Sequence, residues 1–423
     1  MEIIALDGCS VPVVGNFDVV VLGGGPAGVS AAVSAAKNGS KVALVERYGY
    51  LGGQATGGLV ILLVGLTNGK DRIIKGFCEN VIDRLFKNNA AKNISNHVLF
   101  DAENLKYTLD SMVCENSIKP YFHSYVSGVL QRGNRVLGVI LDGKSGKRII
   151  QAKYFIDATG DADLAKYCDL PFFQEPKEIS MPITLGFRVG GIDIDKAGKF
   201  LNQNYSVFTN MLKNIGISVK MGGWLPTLNP NEAWLNVSNV ENIDITDSDD
   251  LTTAEIIARM QIQKIMSSLK KEIDGFENAY LIDSASQIGG RESRRIAGKY
   301  YFLQASVGLD FDDTIALAPD YTGLSAGGFV KIPFRCLVSD KIDNVIFAGR
   351  CISVSHDLLD MFREIPCCMA TGQAAGVAAS VFAKDNRKID YKNSIKRIQK
   401  TLLAQGAMLE CKTDFKSDRM IVA

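Results

Sequence analysis

The sequence predicts an α/β protein built on a Rossmann-like parallel sheet, and three observations support that prediction. A buried strand at 18–22 leads into a glycine turn, a small-residue helix and a second strand at 41–46, which together make a βαβ unit. Short alternating segments between 118 and 160 predict a small antiparallel meander. A late strand with a glycine end, at 341–350, is again followed by a small-residue helix, which repeats the signature of the first unit.

The glycine turn has the spacing of a dinucleotide site. Gly23, Gly25 and Gly28 form G-x-G-x-x-G between the strand and the helix. The first glycine allows a tight turn, the second lets the backbone approach a pyrophosphate, and the third permits close packing of helix on strand. The helix that begins at Pro26 and Ala27 offers unpaired N–H groups and a positive dipole end to an anion. The alternative is a glycine turn with a purely structural role in an ordinary α/β fold.

The residues after the second strand bear on which nucleotide binds. Glu46 ends that strand, where a carboxylate binds a ribose diol. A carboxylate there repels a 2′-phosphate, so NADP is disfavoured despite the neighbouring Arg47. NAD and FAD both stay open on these residues. The glycine-rich backbone continues past the acid as LGGQATGG, at 51–58.

Composition and charge exclude several classes of protein. The chain has 423 residues and a formal net charge of +1 without a basic stripe, so a nucleic-acid partner is not expected. The apolar run at 59–66 is too short to span a bilayer, and no secretory signal follows Met1, so the expected location is cytoplasmic. Nine scattered cysteines without C-x-x-C, and three histidines without ligand spacing, predict reduced thiols and no metal site.

The domain organisation follows from two changes in residue composition along the chain. Residues 1–170 and 334–423 carry the strand-and-glycine signatures and are predicted to be two parts of one nucleotide-binding domain. Residues 171–333 are more polar and hold both tryptophans but no glycine-rich nucleotide turn, so we expect an α+β substrate domain there. An acidic run at 246–250 is expected to cap a long helix over 252–273. Further helices are predicted at 77–87, 103–116 and 391–407.

Seven segments that occur in order along nearly the whole chain resemble a known family. They are VVVLGGGPAGVSAA, VERYGYLGGQATGG, FIDATGDADLA, GGRESRRIAGKYYF, KIPFRCLV, NVIFAGRCISVSHD and MATGQAAGVAA. In this order the chain resembles the glutathione reductase-type FAD proteins and, more closely, the broad FAD-dependent oxidoreductase family of bacterial proteins. The resemblance implies a Rossmann-like FAD-binding domain and an oxidoreductase activity, on substrates that vary across the family.

The resemblance also implies how FAD is held. The glycine turn would hold the pyrophosphate, Glu46 the adenosine ribose, and the backbone of Val126 the adenine. The glycines of 51–58 would follow the cofactor toward the flavin ring, and the helix that begins near Pro366 would direct its positive end at the flavin pyrimidine. Simple core packing is the alternative for that helix and for Thr159 and Gly160. The implied cofactor-binding residues are Gly23, Gly25, Pro26, Ala27, Gly28, Glu46, Arg47, Gly52, Gly53, Thr56, Val126, Ala158, Thr159, Gly160, Gly349, Arg350, Ile365 and Met369.

The chain departs from related flavoproteins in three places. Gly349 and Arg350 stand where many relatives carry Gly-Asp, so we expect a cationic contact from Arg350 to phosphate. The segment 47–58 has no histidine, whereas fumarate reductase-like relatives often attach flavin through one there, so FAD is predicted to be non-covalent. A second G-x-G-x-x-G and a C-x4-C pair are missing, which argues against a disulfide reductase with its own NAD(P)H domain.

His356 and Arg363 are the first candidates for chemistry. Both match positions where the family usually has His and Arg, and they lie seven residues apart after the late glycine turn. His356 would accept a proton and Arg363 would clamp an anion or a carbonyl. The alternative is that His356 packs structurally and Arg363 pairs with Asp360 or Glu364.

Arg291 and Arg294 are weaker candidates, because their segment is dense in charge. They could grip a carboxylate or sugar hydroxyls through paired donors, or belong to salt bridges that join two domains. For the neighbouring Glu292 and Arg295, the structural role in salt bridges is favoured. The vicinal pair Cys367 and Cys368 is expected to pack beside the flavin, with a redox role as the alternative.

The function predicted from these residues is that of an FAD-dependent oxidoreductase. It would act on a small polar molecule by hydride transfer to or from flavin N5. The reaction direction and the electron donor or acceptor (oxygen, a quinone, another redox protein or NAD(P)H) stay open, as does a homo-oligomeric state. The main alternative is a flavin-containing electron-transfer subunit that works with a redox partner protein.

Overall fold

The computed structural model describes residues 2–6, 9–218, 223–385 and 388–411. Within those ranges the strands are β1 (Ile3–Leu6), β2 (Cys9–Leu22), β3 (Val42–Val45), β4 (Leu62–Leu63), β5 (Ala91–Ile94), β6 (His97–Phe100), β7 (Lys119–Tyr121), β8 (Ser124–Arg132), β9 (Arg135–Gly143), β10 (Arg148–Asp157), β11 (Phe172–Phe173), β12 (Phe187–Gly190), β13 (Trp224–Pro226), β14 (Glu232–Leu235), β15 (Tyr280–Ser284), β16 (Arg295–Ile296), β17 (Thr314–Pro319), β18 (Phe329–Pro333) and β19 (Val345–Phe347).

The α-helices complete a mixed α/β architecture. They are α1 (Pro26–Lys37), α2 (Phe77–Lys87), α3 (Ala102–Glu115), α4 (Asp163–Tyr167), α5 (Ile194–Asn214), α6 (Ser248–Glu272), α7 (Leu359–Phe362), α8 (Ile365–Asp385) and α9 (Tyr391–Ala404). The helices predicted at 77–87, 103–116, 252–273 and 391–407 are confirmed to within a few residues at each end. In α6 the Asp247 carboxylate accepts from the N–H groups of Asp249 and Asp250, as the acidic run predicted.

The largest sheet joins the parallel and antiparallel parts that the sequence predicted. Its parallel strands lie in the order β19-β10-β2-β3-β7. The first half of β10 pairs antiparallel with β9, and β9 pairs with β8. The predicted α/β fold is confirmed, with the correction that the meander belongs to the same eight-stranded sheet, because β10 contributes to both parts.

The segment before residue 18 is a second correction. The sequence predicted a strand only at 18–22, but β2 already begins at Cys9. Residues 9–12 pair antiparallel with β1, and from Val13 onward the strand pairs parallel with β10, so the extension is held by backbone hydrogen bonds along its length. The nucleotide-binding strand is therefore the second half of one long strand.

The carboxyl ends of the parallel strands meet at one edge of the sheet. The N–H of Gly23, just after β2, donates to the carbonyl of Val45 at 2.8 Å, and the N–H of Ala158, just after β10, donates to Leu22 at 2.8 Å. The N–H of Ala348, just after β19, donates to Asp157 at 2.9 Å. In open parallel sheets ligands bind beside this edge, so the fold itself indicates where to look for a site.

A second sheet lies within the middle section of the chain. It is antiparallel in the order β13-β14-β12-β15, and α5 and α6 contact each other beside it. The apolar side chains of this section, such as Phe187, Leu235 and Ile262, are buried in the same core cluster as those of α1 and α8. The α+β character predicted for 171–333 is therefore present.

The two helices that pack most extensively, α1 and α8, touch backbone to backbone. A Cβ on Gly372 would collide with the carbonyl oxygen of Ala27, and one on Gly376 would collide with that of Ala31. Both contacts advance by four residues in the same direction, so the helices run parallel. Close approach explains the glycines and alanines of both segments.

One helix, α8, is long and apolar enough to cross a membrane by length and composition alone. However, 94% of its apolar window is buried inside the protein. The composition of α8 therefore matches a core helix, and it is weak evidence for a membrane span.

The α1–α8 contact predicts a specific sensitivity. Replacing Gly376 by Ala should lower the free energy of unfolding by about 1–3 kcal/mol, because the new methyl group must push α8 away from α1. Gly198 in α5 is the matched control, since no atom lies within 4 Å of the place that a Cβ would occupy there. Gly198→Ala should leave stability unchanged or raise it by up to ~1 kcal/mol. Chemical denaturation of both variants measures the difference, and equal midpoints would contradict the packing argument.

Candidate functional site

A deep open cleft lies at the carboxyl edge of the parallel sheet, with about 1800 Å³ of empty space including its mouth. One wall is formed by the ends of β2, β3, β10 and β19 and by the first residues of α1 and α8. The opposite wall comes from the middle section, with residues such as Thr184, Asn236 and Gln287. The cleft therefore brings together all three segments into which the sequence divides.

Most of the sequence-predicted site residues line this cleft. They are Gly23, Gly25, Pro26, Ala27, Glu46, Arg47, Gly53, Val126, Ala158, Thr159, Gly160, Arg291, Gly349, Arg350, Arg363 and Ile365. Six others do not line it: Gly28, Gly52, Thr56, Arg294, His356 and Met369.

The Glu46 carboxylate organises the part of the cleft around the glycine turn. Its Oε2 accepts from the N–H of Gly24 at 2.7 Å, and its Oε1 accepts from the N–H of Tyr48 at 2.9 Å. Burial raises the pKa of Glu46, while these two donors and the charge of Arg47 offset part of that effect. Glu46 thus holds the glycine turn as well as facing the cleft, a role that its spacing alone did not reveal.

The glycine-rich loop after Glu46 is tied to the same turn. The N–H of Gly52 donates to the carbonyl of Gly24 at 2.8 Å. Gly52 and Gly53 have φ of +98° and +49°, conformations that favour glycine. A Cβ on Gly53 would lie 3.0 Å from the Cα of Gly25, so two glycine backbones face each other across the cleft floor. The loop therefore brings bare backbone to the cleft, as its composition predicted.

The three glycines of the motif fulfil different requirements. At Gly23, φ is +96° and a Cβ would collide with Ala158; at Gly28, a Cβ would collide with the carbonyl of Gly23. These two are required by the fold. Gly25 differs, because no protein atom lies within 4 Å of the place its Cβ would occupy, and that place faces the cleft. A side chain there would fill space that a pyrophosphate needs, so the residues present fit a dinucleotide cofactor.

The return strand β10 ends in a loop held by its own acid. Asp157 accepts from the N–H and the hydroxyl of Thr159 at 3.1 and 2.7 Å through Oδ1, and from the N–H of Leu164 at 2.8 Å through Oδ2. Burial raises the pKa of Asp157. This buried carboxylate fixes the path of Ala158, Thr159 and Gly160 along the cleft.

The guanidinium of Arg350 is paired with side chains of the protein itself. Its Nη2 lies 2.6 Å from Oδ1 of Asp161, and its Nη1 donates to the Ser293 hydroxyl at 3.1 Å. Burial disfavours the charged form of Asp161, but Arg350, Ser293 and Arg47 outweigh burial and lower its pKa. Arg350 also lines the cleft, so the expected cationic contact with phosphate stays a prediction, for a cation whose charge Asp161 already balances.

Arg294 and Met369 are structural. Arg294 donates through Nε to the carbonyl of Asp161 at 2.7 Å and through Nη2 to Oδ1 of Asp163 at 2.7 Å. Burial and the neighbouring charges of Asp161 and Asp157 nevertheless raise the pKa of Asp163 to about 7. The carbonyl of Met369 accepts from the hydroxyl of Ser30 at 2.6 Å, which joins α8 to α1. Both residues act outside the cleft lining.

Thr56 and Val126 also make contacts within the protein. The Thr56 hydroxyl is buried and donates to the carbonyl of Leu51 at 2.5 Å, which closes the glycine-rich loop. The carbonyl of Val126 accepts from the Tyr167 hydroxyl at 3.1 Å, although Val126 does line the cleft. The predicted backbone contact of Val126 with adenine stays a prediction.

His356 lies in a separate cluster. Its Nδ1 is 2.7 Å from Oε1 of Glu292, and the same oxygen accepts from Arg295 at 2.5 Å. Arg295 is fully buried and also pairs with Glu175 at 2.9 Å. This cluster is not part of the cleft lining, and the role of His356 as proton acceptor stays a prediction. The structural role expected for Glu292 and Arg295 agrees with these contacts.

Arg291, Arg363 and Glu364 also line the cleft, and Arg363 and Glu364 lie directly before the start of α8. Arg363 pairs with Asp360 through Nε at 2.9 Å, which is the pairing that the sequence left as an alternative. Arg291 donates to the carbonyl of Pro182. Burial lowers the pKa of Arg291 to about 10, and the nearby charge of Arg363 acts in the same direction.

Glu364 is a residue that sequence reasoning missed as a site candidate. Within the described ranges its carboxylate has no hydrogen bond or ion pair, although it faces the cleft. Burial and the charge of Asp360 raise its pKa, while Arg363 and Arg291 lower it in part. The sequence feature that could have identified Glu364 is its position directly before the late small-residue helix, because that helix begins at the carboxyl edge of the sheet.

The vicinal cysteines are buried thiols. Cys367 and Cys368 are both free, and Cys368 lines the cleft. Burial raises the pKa of Cys368 to about 12 and that of Cys367 well above its usual range. Thiols that hold their protons this strongly are poor nucleophiles, so packing agrees better with the structure than redox exchange.

Parts of the chain are similar in sequence to known proteins. Over 41 residues the chain is 61% identical to a soluble pyridine nucleotide transhydrogenase of Chromohalobacter salexigens, which covers 10% of this chain and 9% of that protein. Over 153 residues it is 28% identical to a thiamine thiazole synthase of Pyrococcus horikoshii, which covers 34% of this chain and 58% of that protein. Both matches span less than two thirds of the relatives' own lengths.

Two solved structures share the fold at low sequence identity. A geranylgeranyl bacteriochlorophyll reductase-like protein of Thermoplasma acidophilum matches with a TM-score of 0.51 and 14% identity over 93% of this chain and 84% of that one. A p-nitrophenol 4-monooxygenase of Pseudomonas putida matches with a TM-score of 0.51 and 12% identity over 94% of this chain and 90% of that one. These likenesses concern the fold alone.

The family described as FAD dependent oxidoreductase matches residues 18–402, which is most of the chain. The finer glutathione reductase-type subdivision stays a prediction. On this match, and with the cleft and its glycine turn in place, the protein belongs to the FAD dependent oxidoreductase family, and its cofactor is FAD.

Proposed function

We propose that this enzyme oxidises or reduces a small polar organic molecule at the Arg291–Glu364 end of its cleft. The observation that carries the proposal is that one cleft is lined both by the glycine turn and by the charged residues Arg291, Arg363 and Glu364. The bound flavin supplies hydride transfer to or from N5. The protein residues supply binding, orientation and the handling of a proton.

The cofactor would lie along the carboxyl edge of the parallel sheet. Gly25 and the N-terminus of α1 would hold the pyrophosphate, and Glu46 the adenosine ribose. Gly53 and the turn at Gly349 would let it pass close to the backbone. This placement leaves the start of α8 beside the reactive end of the cleft.

Glu364, in place of His356, is proposed to hold the proton that substrate chemistry releases or consumes. A general base must lie within reach of the substrate and have a pKa near the working pH. Glu364 faces the cleft without a hydrogen-bond partner in the described structure, and burial raises its pKa. His356 is held by Glu292 outside the lining.

The middle section, 171–333, is proposed to set substrate choice, because it supplies the wall opposite the cofactor-binding strands. A cytoplasmic location is proposed from composition, and the free state of the cysteines whose side chains the structure describes, from Cys78 to Cys411, supports a reducing compartment. The electron partner and a homo-oligomeric state stay open. An electron-transfer subunit is the alternative outcome of the experiments below.

A pair of glycine variants tests the cofactor placement. Gly25→Val should leave the unfolding temperature of the apoprotein near that of the wild type, because no protein atom opposes the new side chain. It should weaken FAD binding at least about tenfold, since the side chain occupies pyrophosphate space. Gly23→Ala is the matched contrast and should destabilise the fold itself. FAD titration followed by fluorescence measures the first effect, and unchanged FAD affinity in Gly25→Val would contradict the placement.

Flavin reduction under anaerobic conditions tests the proton-handling residue. Glu364→Gln should bind FAD but reduce it about 10²–10⁴-fold more slowly with any substrate that bleaches the wild type. The wild-type rate should rise with pH through a midpoint above the ordinary carboxyl range, because a raised pKa keeps Glu364 protonated to higher pH; the variant should lose this rise.

The control is His356→Asn, in which the flavin should be reduced at nearly the wild-type rate, since His356 lies outside the cleft lining. A slow His356→Asn together with a fast Glu364→Gln would restore the histidine as proton acceptor. Bleaching by a protein partner, and by no small molecule, would favour the electron-transfer subunit.

FAD is proposed to be bound without a covalent link. None of the three histidines, all within the described residues, lines the cleft, and the thiol of Cys368 is held protonated by burial. Acid precipitation should release all yellow colour into the supernatant. Colour that stays with the pelleted chain would disprove this proposal.

A further inference from the structure

The four arginines that line the cleft differ in how their charges are balanced. Arg350 pairs with Asp161, and Arg363 pairs with Asp360. Arg47 lies over the ring of Tyr48, 5.0 Å from its centroid, beside Glu46 at the adenosine end. Arg291, which lies away from the adenosine end, has no carboxylate partner in the described part of the chain.

Arg291 is also poorly placed for a structural role alone. A guanidinium has five N–H donors, and the side chain of Arg291 uses one group on the carbonyl of Pro182. Burial lowers its pKa, which means that the surrounding protein disfavours its charge. A partly buried cation without a partner, on the wall of a ligand cleft, is complementary to an anion.

We propose that Arg291 binds an anionic group of the substrate, a carboxylate or a similar oxyanion, and that the anion is taken up together with a proton on Glu364. The proposal deepens the proposed function, on which it rests for the placement of the substrate at this end of the cleft. No covalent bond of the substrate is formed or broken in this step, and the proton that Glu364 takes up comes from solvent. Glu364 must return this proton to solvent before its carboxylate can accept one from the substrate, so with an anionic substrate bound the rate of flavin reduction should rise with pH through a higher midpoint.

Charge balance at this end of the cleft couples the two events. The charged groups around Glu364 are Arg363 and Asp360 from its own segment and Arg291 from the opposite wall. With Glu364 ionised, two cations face two anions, so an added anion has no net attraction. With Glu364 protonated, one positive charge is left over. An incoming anion therefore favours the protonated form.

The remaining titratable neighbours of Glu364 do not supply an alternative proton site near neutral pH. They are Tyr321, from the loop between β17 and β18, and Cys367 and Cys368 on α8. Burial raises the pKa of all three, so they stay neutral over the range in which Glu364 titrates. Glu364 is therefore the group whose protonation we expect to follow anion binding.

The experiment measures binding to the oxidised FAD-loaded enzyme without turnover. Acetate, glycolate, malonate and succinate are titrated, each beside its uncharged amide, and the flavin absorbance change or the heat of binding is recorded between pH 6 and pH 9. At least one carboxylate should bind at least about tenfold more tightly than its amide. Its dissociation constant should rise with pH by up to about tenfold per unit above the pKa of Glu364, the limit for one linked proton.

Three variants identify the residues responsible. Arg291→Gln should weaken carboxylate binding at least about tenfold, with FAD retained, and Arg291→Lys should restore part of it because the charge returns. Glu364→Gln should bind carboxylates with little dependence on pH. The matched control is Arg84→Gln on α2, an arginine paired with Glu115 at 2.7 Å, which should bind like the wild type.

The outcomes separate this inference from the proposed function. If FAD binds and substrates bleach it, but no carboxylate binds up to about 50 mM, or Arg291→Gln binds as the wild type does, the anion site is wrong and the proposed function stands. A pH dependence that persists in Glu364→Gln would remove the coupled proton. Absence of bound FAD or of any bleaching would count against the proposed function itself.

Discussion

The contact on which the nucleotide end of this protein depends is the pair of hydrogen bonds that the buried Glu46 carboxylate accepts from Gly24 and Tyr48. Through Gly24, the same contact reaches Gly52 in the next loop. Three separate backbone segments are therefore joined by one chain of hydrogen bonds: the turn before α1, the residues that follow β3 and the glycine-rich loop. A buried carboxylate without such donors would be costly, so the turn and the acid stabilise each other.

The fold could be predicted well, because its signals are local. The βαβ unit, α2, α3, α6 and the late strand each follow from hydrophobic period, turn residues and caps that lie close together in sequence. The parts that were wrong depend on pairing at a distance. β10 joins both the parallel strands and the meander, and β2 extends back to Cys9, because of partners that no local pattern reveals.

The candidate site was predictable for backbone and much less so for charged side chains. Gly23, Gly25 and Gly53 lie where their spacing and φ requirements placed them. The charged residues Arg350, Arg294 and His356 are engaged by acids far away in sequence: Asp161, Asp163 and Glu292. Whether an arginine or a histidine is available to a ligand depends on such partners, and their identity is decided by tertiary structure rather than by motif.

The parallel contact of α1 and α8 has a consequence for how this enzyme can change during evolution. Both helices begin at the cleft, one beside the glycine turn and one beside Glu364, and their backbones touch at Gly372 and Gly376. The spacing between the phosphate-binding and reactive ends is thus set by helix backbones that leave no room for larger side chains. The cleft-facing residues of the middle section, such as Thr184, Asn236 and Gln287, lie outside this contact of α1 with α8. If that section sets substrate choice as proposed, changes at these positions alter substrate preference while the spacing of the two helices is kept.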